Sequence, residues 1–460
     1  MMNKFLTLLF AFVTIAAFVS AYYPEDAPGD YQDITYYASF KPTTVEETVS
    51  ITSYFSPDNS IQVETEAIEN AKVSIDIGTP GFESWIGCTT KGEYPYDHDS
   101  EDYDDSSKDK EFGCTCDKQR NEETFPIFQA LLNAVHRGVK VRILSNNGYT
   151  SNETFSYGYI DPISFLSLAG AEVRYFTTVT FLHSKYMMID NSTASVSSIN
   201  YSQTSFMNNR EAGVLIAGSQ TMTDFYYGVF QYDWDQSIEW PITDENYSSE
   251  DLEIIKDTSL LTVSIPSATS YPGSYVTKVT TTNEDMTVTA LTSPDFSYEQ
   301  IYADIEKSSS MKLYLYQITG DVWCDIVGNY TGSLEILVSN KIYDKSDFYL
   351  AEKCYKNLYE NGATIRKTDK SSSAYVYSHQ KIWILDDDTV YVSTGNWGPT
   401  DFPDGSSTFT PYKENPEKWR RVNRDFTIKM VNSDVASVYT TLFSEDYERG
   451  YDWYPSDTDN

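Results

Sequence analysis

Two short stretches of the chain carry the same reactive side chains at the same spacing. Phe181-Leu-His-Ser-Lys-Tyr-Met-Met-Ile-Asp190 and Tyr377-Ser-His-Gln-Lys-Ile-Trp-Ile-Leu-Asp386 both read His-x-Lys-x-x-x-x-Asp, and His183 and His379 are two of only four histidines. The agreement continues downstream. His183 precedes Asn200 by 17 positions and His379 precedes Asn396 by 17, and each copy is followed by Asn-Arg-acid, at Asn209-Arg210-Glu211 and Asn423-Arg424-Asp425. A single His-x-Lys carries little information, but two matched copies point to one duplicated site.

Residues two apart on a strand face the same side, so the spacing predicts that His183 and Lys185 share one face and His379 and Lys381 another. If the halves pack about a pseudo-twofold axis, both pairs meet in one pocket, with Asn200, Asn396 and the hydroxyls of Ser198 and Thr394. That donor set suits a tetrahedral oxyanion such as a phosphodiester. One histidine attacks phosphorus, and the other protonates the leaving oxygen and then activates water. The lysines and asparagines stabilise the oxyanion charge, so no metal and no cofactor is expected. Glu211 and Asp425 are the candidates to orient the imidazoles. Asp190 and Asp386 lie an odd number of positions from their lysines and are read as structural.

The surrounding elements repeat as well. Glu122 to Arg137 reads as an amphipathic helix, with His136 at its end, and leads to the strand Gly138 to Leu144. The helix Ile160 to Ala169 stops at Gly170, ahead of the first motif. In the second half Tyr298 to Ser308, Met311 to Tyr316, Gly332 to Val338 and the helix Phe348 to Glu360 follow the same order. The fold class expected is therefore α/β, as two fused repeats with one active site between them. The expected boundaries are a signal peptide over 1–21, an N-terminal arm or surface strand over 22–60, a first repeat over 61–242, a connector over 243–285 and a second repeat over 286–460.

Composition sets the compartment. Lys4, the apolar run Phe5 to Val19 and the small residues up to Ala21 read as a secretory leader. Secretion or an endolysosomal lumen suits the five cysteines, for which Cys88 with Cys114 or Cys116, and Cys324 with Cys354, are the expected pairs. Asn152, Asn191, Asn246 and Asn329 are the expected glycosylation sites, while Asn200, inside the site, is expected to be buried and unmodified. The net charge of −35 excludes a general basic footprint for nucleic acid but allows a local positive spot. The acidic insert Glu93 to Glu111, which contains His98, is expected to be a solvated loop.

The His-x-Lys-x-x-x-x-Asp copies, each followed by a Ser/Thr-x-Asn segment, resemble the phospholipase D superfamily over roughly residues 60 to 450. Asn396-Trp397 and the general layout are most similar to its secreted or endolysosomal branch. That resemblance implies metal-free catalysis at one site between the halves, with His183 as nucleophile and His379 as general acid. The family's glycine is replaced by Ser197 and Ser393, and Gly398 to Arg421 is an insertion beside the second copy. Two substrates fit: a phospholipid at a membrane surface, such as phosphatidylcholine cleaved to phosphatidate and choline, or single-stranded nucleic acid cut from its 5′ end. Phe402, Phe409, Tyr412 and Trp419 in the insertion could touch lipid or stack bases, and Arg420, Arg421 and Arg424 could hold phosphates, while the plainer reading of the insertion is a packed surface loop. A binding protein without activity is the reading from another class, disfavoured by the intact His, Lys and Asn of both copies. No obligate protein partner is inferred.

Overall fold

The computed structural model describes residues 36–37, 39–82, 116, 120, 125–146, 160–240, 242, 247–265, 278–370, 375–404, 408–409 and 422–455. The expected leader, the acidic insert with His98, Cys88, Cys114, Asn152, Asn246, Tyr412, Trp419, Arg420 and Arg421 lie outside the described residues. Among those residues no helix is long and apolar enough to cross a membrane.

The strands of the first half are β1 (Tyr36–Tyr37), β2 (Thr43–Ser56), β3 (Ser74–Thr79), β4 (Lys140–Ser145), β5 (Glu172–Tyr175), β6 (Phe181–Leu182), β7 (Tyr186–Ile189), β8 (Thr193–Ser197), β9 (Glu211–Ala217) and β10 (Ile238–Glu239). Those of the second are β11 (Thr280–Ser293), β12 (Ser310–Leu315), β13 (Ser333–Val338), β14 (Ile365–Lys367), β15 (Lys381–Leu385), β16 (Thr389–Ser393), β17 (Thr408–Phe409), β18 (Asn423–Val431) and β19 (Tyr451–Asp452). Traced by hydrogen bonding from one edge, the sheet runs β10-β5-β4-β3-β7-β8-β9-β2, then β11-β18-β16-β15-β12-β13-β14-β19. The second run mirrors the first strand for strand, an order compatible with the expected pseudo-twofold. The seam is the antiparallel pair β2 and β11, in register from Thr43 opposite Ala290 to Ser53 opposite Thr280.

That seam corrects two expected boundaries. Thr43 to Ser56 belongs to the sheet centre rather than to an arm, and Thr280 to Asp285 belongs to β11 rather than to a connector. The sequence hides this because the outer ends of both strands are Thr- and Glu-rich and exposed, and only their inner ends are continuously buried. The inner strands β7 and β15 are buried along their whole length, which is why they read as apolar runs without alternation.

Three cores fill the layers. Helices Ser60–Asn70, Pro126–His136 and Pro162–Ala169 cover one half, and Ser297–Ile305, Asp321–Gly328 and Lys345–Glu360 cover the other. Helices Gln220–Gln236 and Ser433–Arg449 pack in the core that the two halves share. The helices before β5 and β14 end in the same way: Gly170 and Gly362 take φ of 121° and 93°, a backbone region that side-chain-bearing residues avoid. The Cys324–Cys354 disulfide ties the second half's two outer helices, with Cα atoms 5.7 Å apart. Cys116 is buried.

Candidate active site

Each histidine sits where the chain leaves one half to touch the other. Beside His183, β6 pairs in parallel with β18, and the His183 amide donates to the Arg424 carbonyl at 3.1 Å. In the second copy the Arg210 amide donates to the Tyr377 carbonyl and the His379 amide to the Arg210 carbonyl, both at 2.9 Å. Residues 183–185 are therefore a break between β6 and β7, not the continuous strand that the two-residue spacing suggested. The Lys185 ammonium turns back to the His183 carbonyl, as that of Lys381 does to the His379 carbonyl at 2.9 Å.

This crossing decides which acid serves which histidine. Asp425, from the second half, lies 3.0 Å from Nδ1 of His183. Glu211, from the first half, lies 3.0 Å from Nδ1 of His379. Both acids are fully buried. A carboxylate on Nδ1 leaves Nε2 of each ring for chemistry, and the two side chains keep 16% and 9% exposure.

The hydroxyls expected to bind substrate are placed elsewhere. Ser198 donates to Glu211 Oε2 at 2.6 Å and accepts from the Ala212 amide at 3.1 Å. Thr394 donates to Asp425 Oδ1 at 2.6 Å and accepts from the Phe426 amide at 3.0 Å. Both hydroxyls are buried and committed to the acids behind the rings, so they orient rather than contact phosphate. Asn200 and Asn396 are half-buried, and the amide oxygen of Asn396 has no hydrogen-bond partner. Asn200 is thus less enclosed than expected.

Asp190 and Asp386 stand at the far ends of β7 and β15, in turns with φ of 52° in both copies. Asp190 accepts from the amides of Lys72, Val73 and Ser74, and Asp386 from those of Ser309 and Ser310. Their role is structural, by capping amides in a turn rather than by facing away along a strand.

Burial drives Lys185 down to about 8. It drives Lys381 down to about 7, where the nearby carboxylates oppose it and the charge of Lys185 adds to it. Burial, then Lys381, Lys185 and His183, push His379 well below the usual imidazole value. Burial raises Glu211 to about 8 against the pull of Lys381 and its hydrogen bonds. The influence of Lys185 and His183 on His379 places both motif copies in one field. Buried lysines whose charge is penalised by desolvation are stabilised in the charged form when an anion enters.

The sequence reasoning missed three features. Asp401, in the insertion, lies 2.8 Å from Nδ1 of His183. With Asp425 it makes the group of possible metal-ligand atoms, among the described residues, that lie within 4.8 Å of one another. Both contacts have hydrogen-bond length, and the single Nδ1–H is the donor available to the two of them. Second, the arginines of the Asn-Arg-acid segments are buried clamps. Arg210 pairs with Asp58 at 3.1 Å and Asp446 at 3.0 Å, and Arg424 with Asp233 at 2.9 Å and Asp295 at 2.8 Å. Arg424 therefore cannot hold a phosphate. Third, two of those partners belong to a repeat that was legible, Ser56-Pro57-Asp58 and Ser293-Pro294-Asp295. Phe402 is likewise packed, against Trp323 and Trp383, and is not available to lipid or bases.

Residues 121–234 match a family model described as cardiolipin synthase, PLD-like domain. No curated protein matches the chain. Among solved structures, phosphatidylserine synthase from Haemophilus influenzae is similar over 92% of this chain and 90% of its own, at 10% identity and a TM-score of 0.52. The phospholipase D family member Nuc from Salmonella typhimurium matches 44% of this chain and 99% of its own, at 18% identity and a TM-score of 0.29. Polyphosphate kinase from Porphyromonas gingivalis matches 89% of this chain and 50% of its own, at 10% identity and a TM-score of 0.48.

Proposed function

We propose, on the premise that this chain belongs to the phospholipase D superfamily, that it is a metal-independent phosphodiesterase working through a phosphohistidine. The observation that carries the reading is the crossed pairing, Glu211 on His379 and Asp425 on His183, in which each half supplies an acid to the histidine of the other. Nε2 of His183 attacks phosphorus while the bond to the leaving oxygen breaks, and that oxygen takes the Nε2 proton of His379 as the proton held by the raised Glu211 carboxyl passes to Nδ1 of the same ring. The product is an N-phosphoryl imidazolium whose Nδ1 proton faces Asp425. Water then loses a proton to the neutral His379, its oxygen bonds phosphorus, and the P–N bond breaks to return His183. Lys185, Lys381 and Asn396 supply the charge and hydrogen bonds that the non-bridging oxygens need.

The substrate we propose is a phospholipid, cleaved to phosphatidate and a free alcohol such as choline, in a secretory or endolysosomal compartment. The strongly acidic composition supports this over a polyanionic strand. A second reading, single-stranded nucleic acid, draws on a tyrosine wall beside the general acid. The Tyr377 ring is centred 6.3 Å from His379, and the 54%-exposed Tyr343 ring is 5.0 Å from that of Tyr377, an arrangement on which bases stack. Choline release from phosphatidylcholine and shortening of a 5′-hydroxyl oligonucleotide, each measured with EDTA at pH 5 and pH 7, separate them. Choline release without shortening supports the lipid reading, the reverse supports the nuclease, and neither supports a binding protein.

A further inference from the structure

The two histidines are not equivalent. His379 has one carboxylate at Nδ1, whereas His183 has two: Asp401 Oδ1 at 2.8 Å and Asp425 Oδ1 at 3.0 Å. The second carboxylate has no counterpart in the first half, because it comes from the insertion that follows Asn396. Its position is built. The Asn423 side-chain amide donates to Asp401 Oδ1 at 3.3 Å and the Thr400 hydroxyl to Oδ2 at 3.0 Å. Asp401 and Asp425 are both buried, at 3% and 0% exposure. Gly395 makes room for them, since a Cβ there would lie 3.0 Å from Asp425 Cγ and 3.1 Å from Asp401 Cβ.

We infer that Asp401 is a positioning residue that acts through His183, forming with Asp425 a carboxylate pair that shares one proton and stabilises the His183 ring when it is cationic. The inference rests on His183 being the reacting histidine of the proposed phosphodiesterase. A single Nδ1–H satisfies one carboxylate fully, so two ionised acids with oxygens within 4.8 Å of each other repel unless a proton lies between them. Burial opposes ionisation of Asp401, but His183 and the hydrogen bonds from Asp425 and Asn423 outweigh it and hold that carboxyl well below the usual range. Burial raises Asp425, with the Asp401 charge adding to the effect. Burial and Lys185 push His183 down, yet Asp425 and Asp401 together hold it above the ordinary imidazole value. Phosphorylation at Nε2 makes the ring cationic with Nδ1–H retained. The carboxylate pair then faces a full positive charge, so Asp401 favours the covalent intermediate.

The test uses Asp401→Asn and Gly395→Ala in the full chain. The first removes one carboxylate at constant shape, and the second crowds the pair while leaving every titrating group in place. With substrate, Asp401→Asn should lower kcat roughly 10-fold or more with KM within about twofold, and should shift the acid limb of the rate profile about one pH unit lower. Gly395→Ala should move both readings in the same direction by less. Without substrate, histidine-labelled protein gives the titration of His183 by NMR, assigned by loss of its signal in His183→Ala. Its midpoint should lie above about 6.5 in the parent protein and fall in Asp401→Asn. A parent midpoint at or below that value, or a variant with an unmoved midpoint, overturns the role, as does lost activity with an unmoved acid limb. Because the titration needs no turnover, a chain that cleaves nothing tested would count against the proposed function and not against this pair.

Discussion

Oε2 of Glu211, carried by the first half, lies 3.0 Å from Nδ1 of His379, carried by the second, and the Ser198 hydroxyl donates to the same oxygen at 2.6 Å. Neither half can orient its own histidine. Glu211→Gln can still hydrogen-bond but cannot balance an imidazolium, so it should lower kcat about 100-fold or more while the fold persists. The check is the His379 tautomer by nitrogen NMR together with kcat. A variant that keeps both the parent tautomer and the parent rate would show that Glu211 is not the orienting acid.

Ser198→Ala and Thr394→Val should behave as weaker versions of the acid variants, because their hydroxyls bind the acids. A loss of about 3- to 30-fold in kcat with little change in KM is expected, in line with removing one hydrogen bond to a charged group. A rise in KM at constant kcat would return these hydroxyls to the substrate-binding role.

The pH profile should be narrow. On the acid side, His183 is held above the ordinary imidazole value, so its nucleophilic neutral form is lost as pH falls through that raised value. On the alkaline side, Lys381 and Lys185 lose their protons near about 7 and about 8, and Glu211, which holds the proton that His379 delivers, loses it near about 8, so kcat/KM should decline as pH rises beyond them. Vanadate or phosphate inhibition measured across the same range should weaken in parallel on the alkaline side. Inhibition that stays constant to pH 10 would contradict the role of the lysines.

Asp190 and Asp386 should matter for stability alone. Their carboxyls lie below the ordinary carboxylate range, Asp190 by amide hydrogen bonds that outweigh burial and Asp386 chiefly by the Ser309 hydroxyl and the amides beside it. A depressed group contributes stability above its unfolded value of about 3.9 and loses it as pH falls toward the folded value. Because Asp386 is exposed to solvent, Asp386→Asn should cost only roughly 1 kcal/mol by denaturant titration at pH 7, and the difference from the parent should shrink below about pH 4. Unchanged kcat in the folded variant is part of the prediction.

Arg424→Met should leave Asp233 and Asp295 buried without a cation, a change that costs about 3–5 kcal/mol. Denaturant midpoint is the readout, and a variant of parent stability with weakened substrate binding would revive the phosphate role.

The reactive residues were legible in the sequence because duplication supplies its own control: His183 and His379 each predict the other's neighbours. The helix and strand order around them was legible for the same reason. Asp401 was not, since the insertion carrying it has no partner copy and nothing in its spacing marks a side chain aimed at His183. Ser198 and Thr394 show a different limit. Their types announce a hydroxyl, but whether it faces phosphate or a carboxylate is set by β9 and β18, which supply Ala212 and Phe426 behind them. Arg424 looked like a phosphate ligand until its burial between Asp233 and Asp295 was visible. The sequence marks Thr43–Ser56 only as an arm or surface strand because its exposed Thr- and Glu-rich end outweighs its buried inner end.

The central claim is a two-histidine, metal-free phosphodiester cleavage in which His183 carries the phosphoryl group. Acid-sensitive phosphohistidine survives an alkaline quench, so the direct measurement is peptide mapping of the adduct trapped during turnover with EDTA present. The account predicts an adduct on the peptide bearing His183, none in His183→Ala, and turnover abolished in both His183→Ala and His379→Ala. An adduct on His379, full activity in either variant, or activity that disappears with the chelator would contradict it.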